Sequence, residues 1–170
     1  MSLLKIVEDY VINELRRTIS NQGHTLTGSL SASLEAHTVE TLNGYFINFY
    51  YNDYGQPLDT GVKPERIPFN PGSGAKTSKY IDALIQYVKR RMNVSGDKEA
   101  KGIAFAIAYK HKQEGMSTAA SSRFSKTGER NNWVNNTLDR IDDKLTILIN
   151  NSLYAIIDDL MYNALRNYAA

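Results

Sequence analysis

The chain has no cysteine among its 170 residues. That excludes disulfides and thiolate chemistry, and it removes structural zinc sites of the usual kind. A fold without such staples relies on packing or on partner chains. Long apolar runs are also missing. None approaches the ~18 residues that a membrane span needs, so no membrane partner is expected. The opening residues, MSLLKIVEDY, place Glu8 and Asp9 inside what would have to be an apolar signal region. This predicts no signal peptide, and synthesis in the cytoplasm. Histidine is scarce: His24, His37 and His111 fall in three different predicted elements, with no second ligand at metal spacing, so no metal site is expected. Serine and threonine are plentiful, but none sits in a nucleophile elbow and no Ser–His–acid order stands out. Gly72 to Thr77, GSGAKT, has the lysine and threonine of a phosphate loop. However, Ala75 rather than glycine precedes the lysine, and no apolar strand feeds it, so it reads as a flexible connector. Neither enzymatic activity nor a cofactor is expected.

What is present fits one ordinary globular domain. Hydrophobic residues make up 42% and charged residues 22%, and the length suffices to bury a core. The net charge of +2 is unevenly spread. Residues 1–75 hold 5 Lys+Arg against 8 Asp+Glu, residues 76–130 hold 12 against 5, and residues 131–170 hold 3 against 5. The middle segment therefore carries the basic surface, flanked by two acidic ones.

The stretch Gly44 to Phe69, GYFINFYYNDYGQPLDTGVKPERIPF, organises the chain. Tyr45, Phe46, Ile47, Phe49, Tyr50 and Tyr51 are β-branched or aromatic and suit a strand. Asn43-Gly44 before them is the pair that best forms a tight hairpin turn. The returning strand is Glu35 to Thr41, with Ala36, Thr38 and Glu40 on one side and His37, Val39 and Thr41 on the other. From Asn52 to Phe69 the sequence has Gly55, Pro57, Gly61, Pro64 and Pro68 and no regular period, which predicts a loop. A two-stranded hairpin alone is marginal in water. It is expected to gain a helix cover, a neighbour's strand, or a third strand around Arg66 to Phe69.

Helical periodicity covers much of the rest. Leu3 to Ile19 is amphipathic, with Ser2 as its cap and Asn21-Gln22-Gly23 as its stop. Thr27-Gly28-Ser29-Leu30 opens a short turn or helix with Leu30 and Leu34 on one face. Lys79 to Met92 is a helix capped by Thr77 or Ser78, and Ser95-Gly96-Asp97 breaks it. Asp97 to Glu114 is the next, with Ile103, Ala104, Ile107 and Ala108 inward and Gly115 as its C′ residue. Residues 116–128 are small and polar and read as a flexible loop, with Phe124 its one large apolar group. Residues 129–170 form a helical segment. Its aspartates, Asp139, Asp142, Asp143, Asp158 and Asp159, line a polar face. Some forty helical residues span about 60 Å, against a radius of gyration near ~15 Å for a domain of this size. The helix is therefore either broken near Asn150-Asn151-Ser152 or projects onto a neighbour. The fold class is α+β: a small antiparallel sheet built on a β-hairpin, packed against several helices.

The order of Thr27-Gly28-Ser29-Leu30, a hairpin, Tyr-x-x-Asp-Tyr-Gly at Tyr50 to Gly55, and Leu58-Asp-Thr-Gly-Val-Lys-Pro64 resembles the small head–tail connector and tail-completion (neck) proteins of tailed bacteriophages. The resemblance covers roughly residues 1–115. Where many members close with a short strand, this chain closes with a long helical pattern. The resemblance implies a non-enzymatic virion protein made in the infected host's cytoplasm. It implies a ring of copies beneath the portal or at the tail end, with other neck, portal or tail proteins as partners.

On that reading the subunit contacts are Tyr50, Tyr51, Tyr54, Asp59, Arg66 and Phe69 on the loop side and Leu153, Ile157 and Leu160 on the helix side. Tyrosine, of which there are 11, has an apolar body and a polar tip and suits interfaces as well as cores. The alternative is a DNA-binding accessory protein that meets phosphates through Lys89, Arg90 and Arg91 and the basic helices 79–114. Against this, Lys89 to Arg91 and Lys110 to Lys112 lie in last helical turns, where cations complement the helix dipole. A basic face meeting an acidic face of a neighbouring subunit is the third way to use them.

Overall fold

Helix α1 (Leu3–Asn21) starts where the Ser2 hydroxyl accepts the Lys5 amide at 3.3 Å, and Val7, Val11, Ile12, Leu15 and Ile19 form its buried face. The computed structural model describes residues 2–42, 44–72 and 78–168. The expectations for Asn43, for Thr77 and for the connector over 73–77 lie outside them. After α1 come a single turn, α2 (Ser29–Ala32), and the hairpin β1 (Glu35–Thr41) and β2 (Gly44–Tyr50). Next are α3 (Gly55–Thr60), a 3₁₀ turn (Pro64–Arg66), α4 (Lys79–Met92) and α5 (Asp97–Glu114). A second 3₁₀ segment (Ala119–Phe124) then leads to α6 (Trp133–Tyr168). The class is α+β, with helices dominating a two-stranded antiparallel sheet.

The hairpin pairs Glu35 with Tyr50 at one end and Thr41 with Gly44 at the other. This register puts Ala36, Thr38, Ile47 and Phe49 on the face turned to α1. The largely buried Glu8 of α1 accepts the Thr38 hydroxyl at 2.6 Å, which satisfies one oxygen of a carboxylate with little access to water. The hairpin's cover is thus a helix, not a third strand. The segment expected as that strand instead turns at Pro64–Arg66, with proline at the first position of the 3₁₀ turn, and then sends Ile67 and Phe69 inward. Pro68 lacks the N–H that a ladder needs.

Two apolar clusters fill the interior. One gathers α1, Leu30, Leu34, Trp133 and Ile141 under the inner face of the hairpin. The other packs α4 on α5 through Ile81, Leu84 and Val88 against Ala100, Ala104 and Ala108, and closes over Ile67 and Phe69. The three alanines let the helix backbones approach, while the expected inward residues Ile103 and Ile107 are only partly buried at the margin. An antiparallel bridge between Val62 and Met116 fastens α5 to the α3 loop, with amide–carbonyl distances of 2.6 and 2.8 Å. Beside it Gly115, at φ 84, faces the Val62 carbonyl so closely that a Cβ would lie 2.5 Å from it. No other residue fits there.

Helix α6 runs antiparallel to α1. Gln22 bonds the Asn131 carbonyl, Thr137 meets Thr18, and Arg140 reaches Glu14, in that order along the pair. The register brings Leu145 and Ile149 to the beginning of α1, where Leu3 also packs. Beyond that point α1 has ended. The helix nevertheless continues unbroken through Asn150-Asn151-Ser152. Ser152 donates its hydroxyl to the Leu148 carbonyl at 2.8 Å and so fits the helix rather than ending it. At 36 residues α6 spans about 54 Å, and its distal half leaves the domain.

Candidate interface surfaces

Three exposed apolar or cationic surfaces emerge from this architecture. The first is the distal half of α6. Leu153, Ile156, Ile157, Leu160, Met161 and Leu165 recur at three- and four-residue steps, and every one is exposed, Leu160 by 62%. An exposed apolar stripe of this kind is characteristic of interaction surfaces. The three helix-side residues expected at the interface, Leu153, Ile157 and Leu160, all lie here.

The second surface is the outer face of the hairpin. Val39 pairs with Phe46, and Tyr50 lies beyond them with the His37 ring against it edge-on at 5.3 Å. Phe46 is 63% and Tyr50 54% exposed. Two of these residues, Val39 and Phe46, were not among the expected contacts. The signal for Phe46 was strand alternation, which places it four residues from Tyr50 on the same face, with Asn48 between them; the pairing with Val39 comes from the register.

The loop-side residues do not form one patch. Tyr50, Tyr54 and Arg66 are exposed, and the Tyr54 hydroxyl lies 2.6 Å from that of Ser29. Tyr51 and Asp59 are half-buried and make contacts inside the fold, and Phe69 is buried, which corrects the expected place of Phe69 on the docking surface. Tyr51 stands edge-on to the buried Trp133 at 5.1 Å. Phe69 is 9% exposed and packs on Phe105 and Tyr109. Asp59 accepts the Val134 amide at 2.9 Å through Oδ1 and the Asn132 amide at 2.7 Å through its carbonyl, so it caps the start of α6 from another element.

The third surface is cationic. Lys89, Arg90 and Arg91 diverge. Lys89 pairs with Asp97 at 2.5 Å and holds that exposed carboxyl below its usual range. Arg90 is exposed. Arg91 turns the other way, its guanidinium carbon 5.0 Å from the centre of the Phe124 ring. Arg123 and Arg130 stand at 4.8 and 6.0 Å from the same ring. Phe124 belongs to the segment expected to be a flexible loop. Part of that segment is the 3₁₀ turn, docked on the end of α1 by the Lys126 amide and the Ser125 hydroxyl on the Asn21 carbonyl. Gly23, at φ 75, makes this possible, because a Cβ there would collide with the Phe124 carbonyl.

Arg130 is half-buried behind this ring. Its carbonyl lies 2.9 Å from His24 Nε2, and its Nη2 lies 3.4 Å from His24 Nδ1. A neutral His24 protonated on Nε2 satisfies both contacts, and burial lowers its pKa below 6.5. Arg130 Nε and Nη1 are buried without a hydrogen-bond partner. Beside them a polar cavity of about 350 Å³ is lined by Ser117, Ser121, Ser122, Glu129, Arg130 and Asn131 among others. A second half-buried pair sits at the margin of the other cluster, where His111 Nδ1 lies 2.6 Å from the Tyr80 hydroxyl. Burial pushes the Tyr80 pKa up to about 12 and the His111 pKa down.

Among the described residues no three His, Asp or Glu side chains form a metal-binding group, and no helix is long and apolar enough to cross a membrane. No family model, curated protein or solved structure matches the chain significantly.

Proposed function

We propose that this chain is a non-enzymatic structural subunit of a tailed-bacteriophage virion, forming a ring at the head–tail junction or tail end. The observation that carries the reading is the distal half of α6. It presents a stripe of large apolar residues some distance beyond the domain that α1 covers. In a ring built from head-to-tail contacts, such a projecting element on one copy meets a different surface of the next. The outer face of the hairpin, with Val39, Phe46 and Tyr50, is a receiving surface of matching character. The motif order from Thr27 to Pro64 supplies the likeness to neck proteins. Copies of this chain and adjoining neck, portal or tail proteins are the partners, and the virion is the destination after synthesis in the host cytoplasm.

The DNA-binding alternative through helices 79–114 has less support from the placement of its residues. Lys89 and Lys110 are paired with Asp97 and Glu114, and Lys112 is turned to the Ile67 carbonyl. The deciding experiment is made on particles. Mass spectrometry and cryo-EM of purified virions are expected to find the chain in several copies at one axial position. Its absence from mature particles, with free protein in infected cells, refutes the proposal. A monomer in isolation does not, since a ring assembled on a neighbouring protein as template need not form in free solution.

A further inference from the structure

We propose that Arg91, Arg123 and Arg130 form a phosphate-binding cluster around Phe124. Lys5, Arg17, Lys89, Lys110 and Arg140 each have a carboxylate within 4.0 Å. Arg91, Arg123 and Arg130, like most of the other cations, have none among the described residues, but these three converge on one ring at 5.0, 4.8 and 6.0 Å. Stacking on an aromatic face favours a single guanidinium. It does not cancel the repulsion among three of them.

The cluster is also held in place. The 3₁₀ segment that carries Arg123 and Phe124 is tied to Asn21, and Gly23 lets it lie flat on the end of α1. The cations are therefore brought together by backbone contacts and not by flexible side chains alone. Arg130 adds a second, independent observation: two of its N–H-bearing nitrogens are buried with no acceptor. Burial, opposed by Tyr87 and reinforced by Arg91, lowers its pKa. His24, Tyr87 and Arg91 lie around it, and none of these is a carboxylate. The Glu129 carboxylate lines the same cavity and accepts the Asn136 amide at 2.6 Å through one oxygen, but it forms no ion pair with any of the three arginines.

An anion that carries two charges or several oxygens suits three guanidiniums better than one carboxylate does, because each planar fork donates two parallel hydrogen bonds to phosphate oxygens. The exposed Arg123 and the half-buried Arg91 make the direct contacts. Arg130 is the fixed positive charge behind them, in a site where low dielectric strengthens its field. The phosphate is either a free ion or part of a nucleic-acid backbone. This inference stands apart from the ring proposal and uses none of its contact residues.

The test uses the full chain and two probes, inorganic phosphate by calorimetry and a fluorescein-labelled single-stranded 12-mer by anisotropy. Arg91→Gln with Arg123→Gln is compared with the charge-matched Lys79→Gln with Lys98→Gln, both lysines being exposed on α4 and α5. Circular dichroism confirms that each variant folds, and Arg123→Gln alone guards against effects of the half-buried Arg91. The arginine pair is expected to weaken the bound probe at least ten-fold, the single variant about three-fold, and the lysine pair less than two-fold. For the oligonucleotide, the salt slope becomes shallower by about 1.4, for two lost contacts on a single strand. Tight oligonucleotide binding that millimolar phosphate displaces identifies the nucleic-acid backbone as the source. Binding of phosphate alone identifies the free ion. Equal losses in the two double variants, or no binding of either probe, overturn the proposal. So does loss of self-association with anion binding intact, which assigns the cluster to a carboxylate of another copy.

Discussion

Asp59 caps a helix that starts 74 residues later in the chain, its Oδ1 accepting the Val134 amide at 2.9 Å. The same residue's carbonyl takes the Asn132 amide, so α3 and the start of α6 share one anchor. Removing a cap of this kind costs about 1 kcal/mol, within a range of roughly 0.5–2. Asp59→Ala is therefore expected to lower the urea midpoint of the isolated protein, with Asp59→Asn retaining most of the stability. An unchanged midpoint in Asp59→Ala would mean that the cap contributes nothing, and would return Asp59 to the surface role its loop position suggested.

Phe69 separates core from interface in the same way. It is buried against Phe105 and Tyr109 at ring distances of 6.1 and 5.1 Å. Truncating a buried phenylalanine costs about 3–5 kcal/mol, so Phe69→Ala is expected to unfold or strongly destabilise the protein without any partner present. Tyr50→Ala, on the outer face of the hairpin, is expected to leave the melting temperature almost unchanged. Equal melting temperatures for the two variants would contradict this division.

The pH dependence of stability follows from three half-buried rings. His24 and His111 both titrate below 6.5 in the folded chain, chiefly because burial disfavours the cation. Below pH 6.5 the unfolded chain therefore binds protons that the folded chain refuses, and stability falls as pH falls. Tyr80 behaves oppositely on the alkaline side. Its folded pKa of about 12 exceeds the ordinary 10.0, so its contribution is intact below pH 10 and is lost as pH rises toward 12. Chemical denaturation across pH is expected to give a plateau between these limits. His111→Gln is expected to flatten the acid limb. An acid limb of unchanged slope in that variant would show that His111 does not govern it.

The bounds of α4 and α5 were legible to the residue, because local punctuation decides them. Ser78 accepts the Ile81 amide at the start of α4, Asp97 follows Gly96 at the start of α5, and Gly115 ends it with a positive φ. The α+β class and the hairpin were legible from the aromatic strand, although Gly44 is the first residue of β2, paired with Thr41, and not a central residue of the turn as expected. What stayed hidden depends on distant contacts. Gly55–Thr60 has the glycine and proline of a loop, yet it is a helix. Pro57 sits in its first turn, where proline is tolerated. Gly55 lies so close to Tyr51 and Leu30 that a side chain would not fit, and its carbonyl receives the Trp133 indole at 3.3 Å. The arginine cluster was hidden for the same reason. Arg123 and Phe124 adjoin in sequence, but nothing local signals that Arg91 and Arg130 meet them.

The last prediction concerns the projecting half of α6. Leu153 to Tyr168 buries little of its surface on the rest of the chain, so removing it should cost the monomer little. A chain ending at Ser152 keeps Trp133, Thr137, Ile141, Leu145 and Ile149, which are the residues that α1 covers or touches. It also keeps the Asp59 cap. Its urea midpoint is expected to stay close to that of the full chain, while its helical circular dichroism drops by the share of the removed turns. Its behaviour toward partners is expected to change completely. Without Leu153, Ile157 and Leu160 the exposed apolar stripe is gone, and with it incorporation into particles when the truncated gene is the only copy in an infection. The triple variant Leu153→Asp, Ile157→Asp and Leu160→Asp keeps the chain length and should reproduce that loss. If both variants enter particles as the full chain does, the distal helix is not the contact on which assembly depends. If instead the truncated chain unfolds at much lower urea, the distal half folds back onto the domain in solution and the stripe is part of the core.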